Sequence, residues 1–236
     1  MNSRSALLAA SLPGLLFVSG AAVYDPAQLP GFDGQVQQFT LSPRGDIDGL
    51  ILKDGTEVKT PPHLSTAIAY AVKPGDTVTI LGLRAAALPL VQAAAITDHA
   101  SGRTIVDTGP APRPVGIGPT PGANADGVVE VQGAVRMRLH GARGEINGVL
   151  LQDGTVLRFP PDAATDMTNL LQPGKSLIAE GAQVMSPVGK VMEVTAIGTS
   201  RADLMPVAGP PDPGPRGRGR PGPRPDAPPP PPPPGT

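Results

Sequence analysis

Catalysis needs side chains that attack, move protons or hold metals, and this chain supplies few of them in company. It has no Cys, which excludes thiol catalysis, disulfides and Cys-ligated zinc or iron–sulfur sites. His63, His99 and His140 are its only histidines, and no two are close in sequence. A lone histidine in a turn or on a surface is the ordinary case. Asp46 and Asp48 bracket an isoleucine before Gly49, and Glu145 and Asn147 do the same before Gly148. Such oxygens near a turn could face a cation, but a calcium loop needs more ligands and a closing Glu. Turn chemistry is the simpler reading. No Gly-x-Ser-x-Gly, His-Glu-x-x-His or Walker pattern occurs. The run "GIGPTPG" (116–122) resembles a phosphate loop only superficially, because Pro119 and Pro121 bar the helix that must follow. The expectation is a protein that is not an enzyme and uses no cofactor or metal.

The basic residues are more orderly. "RGDIDGLILKDGTEVKTPPH" (44–63) returns ninety-nine residues later as "RGEINGVLLQDGTVLRFPPD" (143–162), with ten of twenty positions identical. Arg44 recurs as Arg143, and Lys59 is answered by Arg158. With Arg84 and Phe159 these make the candidate ligand-binding set: Arg44, Lys59, Arg84, Arg143, Arg158 and Phe159. Two cations at matching places in each repeat suit an anionic ligand. The competing reading is that they sit on exposed strand positions for solubility and edge protection.

Composition divides the chain around the two repeats. Residues 1–22 carry one Arg, an apolar run of thirteen residues (6–18) and then small residues, the layout of a secretory signal peptide. The run is too short to cross a bilayer, so no transmembrane span is expected. Residues 106–126 hold nine Pro or Gly and read as a linker. From Pro206 to Thr236, fifteen of thirty-one residues are Pro, with four Arg and two Asp. Such a tail cannot pack a core and is expected to be disordered and extended. It carries +2 of a total of −1, which leaves −3 for the rest. The folded units are then 30–105 and 127–203, each small enough to be marginally stable alone.

Each unit spells the same elements. A strand opens it (34–42 and 133–140), with Val135, Met137 and Leu139 alternating in the second. Asp54-Gly55 and Asp153-Gly154 between apolar runs mark a hairpin of strands two and three. Pro61-Pro62 and Pro160-Pro161 stop strand three. A helix follows, its apolar stripe Leu64, Ile68, Ala71 and Val72, or Ala163, Met167, Leu170 and Leu171. Asp162 is placed to cap the second helix. Strands four (76–82, 175–181) and five (90–96, 191–197) complete each unit.

Three strands, a helix and two strands resemble the OB-fold, the five-stranded Greek-key barrel. The segments "GLILKDGTEVKTPP" with "KPGDTVTILG", and "GVLLQDGTVLRFPP" with "QPGKSLIAEG", carry the resemblance. The fold class expected is mostly β: two tandem OB-like barrels, each with one helix between strands three and four. The alternative is another small antiparallel barrel. In style the chain is similar to exported bacterial OB-fold proteins. That resemblance implies binding across strands two and three, framed by the loops joining strands one to two and four to five. Expected partners are an envelope protein, a polysaccharide or a small anion in a periplasmic or secreted setting. The alternative is a cytosolic nucleic-acid-binding protein that uses its Arg side chains and Arg-Gly tail. Base stacking would fall to Phe39, Tyr70 and Phe159, and Tyr70 belongs to the helix. Gln38 and Thr40 stand where the second unit has Met137 and Leu139, which predicts a less well packed first barrel.

Overall fold

The computed structural model describes residues 25–110 and 127–207. The expected signal peptide, most of the linker and the tail beyond Val207 lie outside the described residues.

Strand β1 (Gly31–Leu41) does two jobs. Its first half pairs with β4 (Thr77–Arg84) and its second half with β2 (Ile47–Leu52). A register shift between Val36 and Gln38 separates the halves. An extra residue there bends the strand, so one strand can belong to both sides of a barrel. This is why "GQVQQFTLS" lacks clean alternation. Strand β7 (Val128–His140) behaves alike toward β10 (Ser176–Ser186) and β8 (Ile146–Leu151), with its shift between Val135 and Met137.

The hairpins form where expected. Asp54 accepts bonds from the Thr56 amide and hydroxyl, and Asp153 accepts the same pair from Thr155. Gly55 and Gly154 take φ near +87°, at 86° and 88°, a conformation that favours glycine. Beyond these turns lie β3 (Glu57–Lys59) and β9 (Val156–Arg158). A 3-10 turn at Pro62–Leu64 leads into α1 (Ser65–Ala71), and α2 (Pro161–Asp166) occupies the same place in the second unit. Ile68 and Val72, and Ala164, Met167 and Leu171, are buried beneath them. Asp162 does not cap α2. Pro160 holds the cap position without a side-chain bond, and Asp162 falls in the first turn.

Strand β3 pairs parallel with β5 (Leu90–Asp98), and β9 pairs parallel with β11 (Gly189–Gly198). Because β5 also pairs with β4, and β4 with β1, the ring closes as β1-β2-β3-β5-β4. The second ring closes as β7-β8-β9-β11-β10. Each unit is an OB-fold barrel. Short strands β6 (Thr104–Val106) and β12 (Met205–Pro206) add to β5 and β11 outside the rings.

The barrels are not independent. Leu139, Leu150, Val156 and Val191 of the second barrel are at most 1% exposed and belong to the same apolar cluster as the first barrel's core. The equivalent positions of the first barrel, Thr40, Ile51, Glu57 and Leu90, are also buried. Strands two and three are therefore covered on both faces. The runs Leu50-Ile51-Leu52 and Val149-Leu150-Leu151 are buried without a break, as expected of strands with no solvent side.

Candidate functional site

Where the barrels meet, a side chain of each bonds to the end of the other's first strand. Arg158 on β9 sends its Nε to the Leu41 carbonyl at 2.9 Å, at the end of β1. Glu57 on β3 accepts from the His140 amide with both carboxylate oxygens at 3.0 Å, at the end of β7. Leu41 and His140 are equivalent positions in the repeat, so the exchange is reciprocal in position, with the second barrel the donor in both bonds. The flanking loops follow it. The Gln92 amide on β5 reaches the Ala142 carbonyl at 3.0 Å. The side chain of Val184 lies over Gly45, and that of Leu88 over Gly144.

Arg158 is 3% exposed and fully engaged. Its Nη2 lies 2.7 and 2.9 Å from the two Asp48 oxygens, and its Nη1 donates to Asn147 Oδ1 at 2.8 Å. Asp48 and Asn147 are themselves the repeat-related pair considered above for a cation. The cation they hold is a guanidinium of the chain itself. Thr40, buried at 0% exposure, donates to Asp48 at 2.7 Å. Gln38 reaches the Gly154 carbonyl at 3.3 Å, and neighbouring Gln37 accepts from Arg136. The polar residues of β1 that suggested poor packing are contacts with, or supports for, the second barrel.

The other end of the seam is built differently. Lys59, 8% exposed, pairs with Glu57 at 2.8 Å, and the His140 ring nitrogen Nδ1 is 3.1 Å from the second oxygen. Burial pushes the Glu57 carboxyl up, but hydrogen bonds from His140 and the Lys59 charge outweigh it and hold the group below its ordinary range. The remaining histidines are elsewhere: His63 is 3.0 Å from Asp107, and His99 is 2.7 Å from the Thr79 hydroxyl. No cluster with metal-ligand geometry occurs among the described residues.

The six candidate residues therefore separate. Arg158 and Phe159 come together. Lys59 is buried at the other end of the seam, and the expectation that Lys59 and Arg158 lie on an exposed strand face does not hold. Each is covered because the other barrel occupies that face. Arg44 and Arg143 are exposed on the loops after β1 and β7. Arg84 lies 4.5 Å over the ring of Phe32, a cation–π contact on the outside of the first barrel. The sequence does not single out Phe32, because it lies upstream of the expected first strand. Phe39 is in the core, and Tyr70 is 78% exposed on α1.

Beside Arg158 and Phe159 a cleft of about 880 Å³ opens between the barrels. Its apolar lining includes Phe159, Pro160, Pro161 and Val194. Four carboxylates border it: Asp48, Asp162, Asp166 and Glu193. Arg158 is the cation among the lining residues, and it is already bound to Asp48. The last described residue, Val207, is part of the wall, held by its amide to the Thr195 carbonyl at 2.8 Å.

No family model matches the chain, and no curated protein does. Among solved structures, a deletion mutant of the single-stranded DNA-binding protein from Thermus aquaticus matches 75% of this chain and 96% of its own, at 13% identity and a TM-score of 0.21. At that level of likeness the neighbour's ligand carries no weight here. The OB assignment rests on the two closed rings and their strand order. No described helix is long and apolar enough to cross a membrane.

Proposed function

We propose that this chain is a non-enzymatic binding protein, exported to the cell envelope, whose junction cleft receives an extended cationic segment of a partner protein. One observation carries the reading. The faces and loops by which OB barrels usually bind are largely occupied by the sister barrel, and the opening left between them is apolar inside and acidic at its border. Pro161 is exposed and Pro160 half-buried on the cleft wall, while Phe159 is only 5% exposed there, and the apolar wall suits a proline-containing peptide. Asp162, Asp166 and Glu193 are exposed and uncommitted to any ion pair among the described residues, which favours Lys or Arg from a partner.

The same charges count against phosphate. A nucleic acid drawn to this cleft would meet four carboxylates and a guanidinium already paired. Export rests on the first 22 residues, and the partner class depends on it.

Two measurements test the proposal. Intact mass of the protein from a fractionated bacterial host should show loss of about 22 residues and a periplasmic location. Fluorescence anisotropy with a labelled Arg/Pro peptide and with labelled oligo-dT should show binding of the peptide only. A full-length cytosolic product that binds oligo-dT would reverse both parts.

A further inference from the structure

Val207 forms part of the cleft wall, and the chain continues from it into its only strongly basic segment. Pro215–Pro225, "PRGRGRPGPRP", holds all four Arg of the tail and four of its prolines. Arg216 is nine residues beyond Val207, a reach of roughly 28 Å at 3.1 Å per residue. That reach allows the chain to turn back toward the cleft it leaves. Proline also limits the backbone freedom lost on docking. The cleft has the complementary character: an apolar wall that includes Pro160 and Pro161, bordered by Asp162, Asp166 and Glu193.

We propose that residues 215–225 of this chain occupy its own junction cleft, so that an outside partner binds by displacing them. The inference rests on the reading of the cleft as a cationic-peptide site and adds a resident competitor. A short tether supplies an effective concentration on the order of millimolar. A segment with an intrinsic Kd of about 0.3 mM would then keep the cleft mostly filled and slow local opening about fourfold.

The test is hydrogen exchange on the full chain at low salt, read at residues 162–166 and 193–195. A variant with Arg216, Arg218, Arg220 and Arg224 all changed to Gln should exchange about fourfold faster there than the native chain. Asp162→Asn with Asp166→Asn should do the same with the native tail. Protection should be independent of protein concentration. Equal exchange in native and tail-neutral chains would overturn the proposal, and protection that grows with protein concentration would assign the tail to a second copy instead. Adding a synthetic peptide of residues 213–225 to the tail-neutral variant separates the two ideas. If the peptide protects the cleft where the native tail does not, the site stands and the intramolecular docking falls. If neither protects, both fall.

Discussion

Arg158 of the second barrel and Asp48 of the first form a buried ion pair, with Nη2 2.7 Å from Oδ2. The same guanidinium bonds Asn147, the residue equivalent to Asp48, so one arginine spans matching points of both repeats. Such a pair constrains how the barrels sit more than it adds stability. Removing one partner should nevertheless be costly. Asp48→Ala leaves a guanidinium that is 4% exposed facing an empty position, and should destabilise the chain by about 3 kcal/mol in urea melts. The double variant with Arg158→Met should lose clearly less than the two single losses added together. Additive losses would show that the pair is not coupled.

The barrels should unfold together. Leu139, Leu150, Val156 and Val191 join the first barrel's cluster, so neither barrel keeps its full core alone. The full chain is expected to give one calorimetric transition with equal van't Hoff and calorimetric enthalpies. Leu150→Glu places a charge in the shared layer and should split that transition in two. A native chain that already melts in two steps would contradict the shared core.

Acid should weaken the seam. Glu57 sits below its ordinary range when folded, so its stabilisation is present above the unfolded carboxylate value of about 4.3 and is lost as pH falls through the folded value. Asp203 is held at about 2 by the Thr199 hydroxyl and then the Ser200 hydroxyl and amide, so its loop should keep these bonds until pH nears that value. Melting temperature followed from pH 6 to pH 2.5 should fall, and Glu57→Gln should flatten that fall while lowering the plateau. An unchanged acid limb in the variant would remove Glu57 from the account.

Gly82 and Gly181 sit at the register shifts of β4 and β10, where a Cβ would run into the carbonyls of Gln92 and Glu193. Backbone cannot retreat there without opening the ring. Gly181→Ala should cost several times the roughly 1 kcal/mol that Gly→Ala changes gain at permissive sites. A neutral result in a urea melt would mean the bulge is softer than its geometry.

The barrels themselves were legible because local signals agreed: Asp-Gly turns, paired prolines and a short apolar helix stripe, each present twice. The junction was harder to see, because periodicity reports burial without saying what does the burying. The unbroken runs at 50–52 and 149–151 did signal strands covered on both sides. Lys59 and Arg158 obscured that signal, since a charged side chain on a strand ordinarily marks the solvent face. Thr40 and Gln38 misled in the opposite direction, reading as weak core when their partners lie eight and 116 residues away. The cleft has no signature in either repeat, being made by the meeting of two units.

The reciprocal exchange at the seam has a further consequence. Two identical barrels meeting this way would form a symmetric dimer, and every contact would be present in duplicate. Any acid placed at one end would reappear at the other. Joining the barrels in one chain lifts that requirement. One end now carries Glu57 and Lys59 around His140, the other Val156 and Arg158 around Leu41. The chain can thus keep one end closed and dedicate the other to a ligand, a division of labour closed to a homodimer.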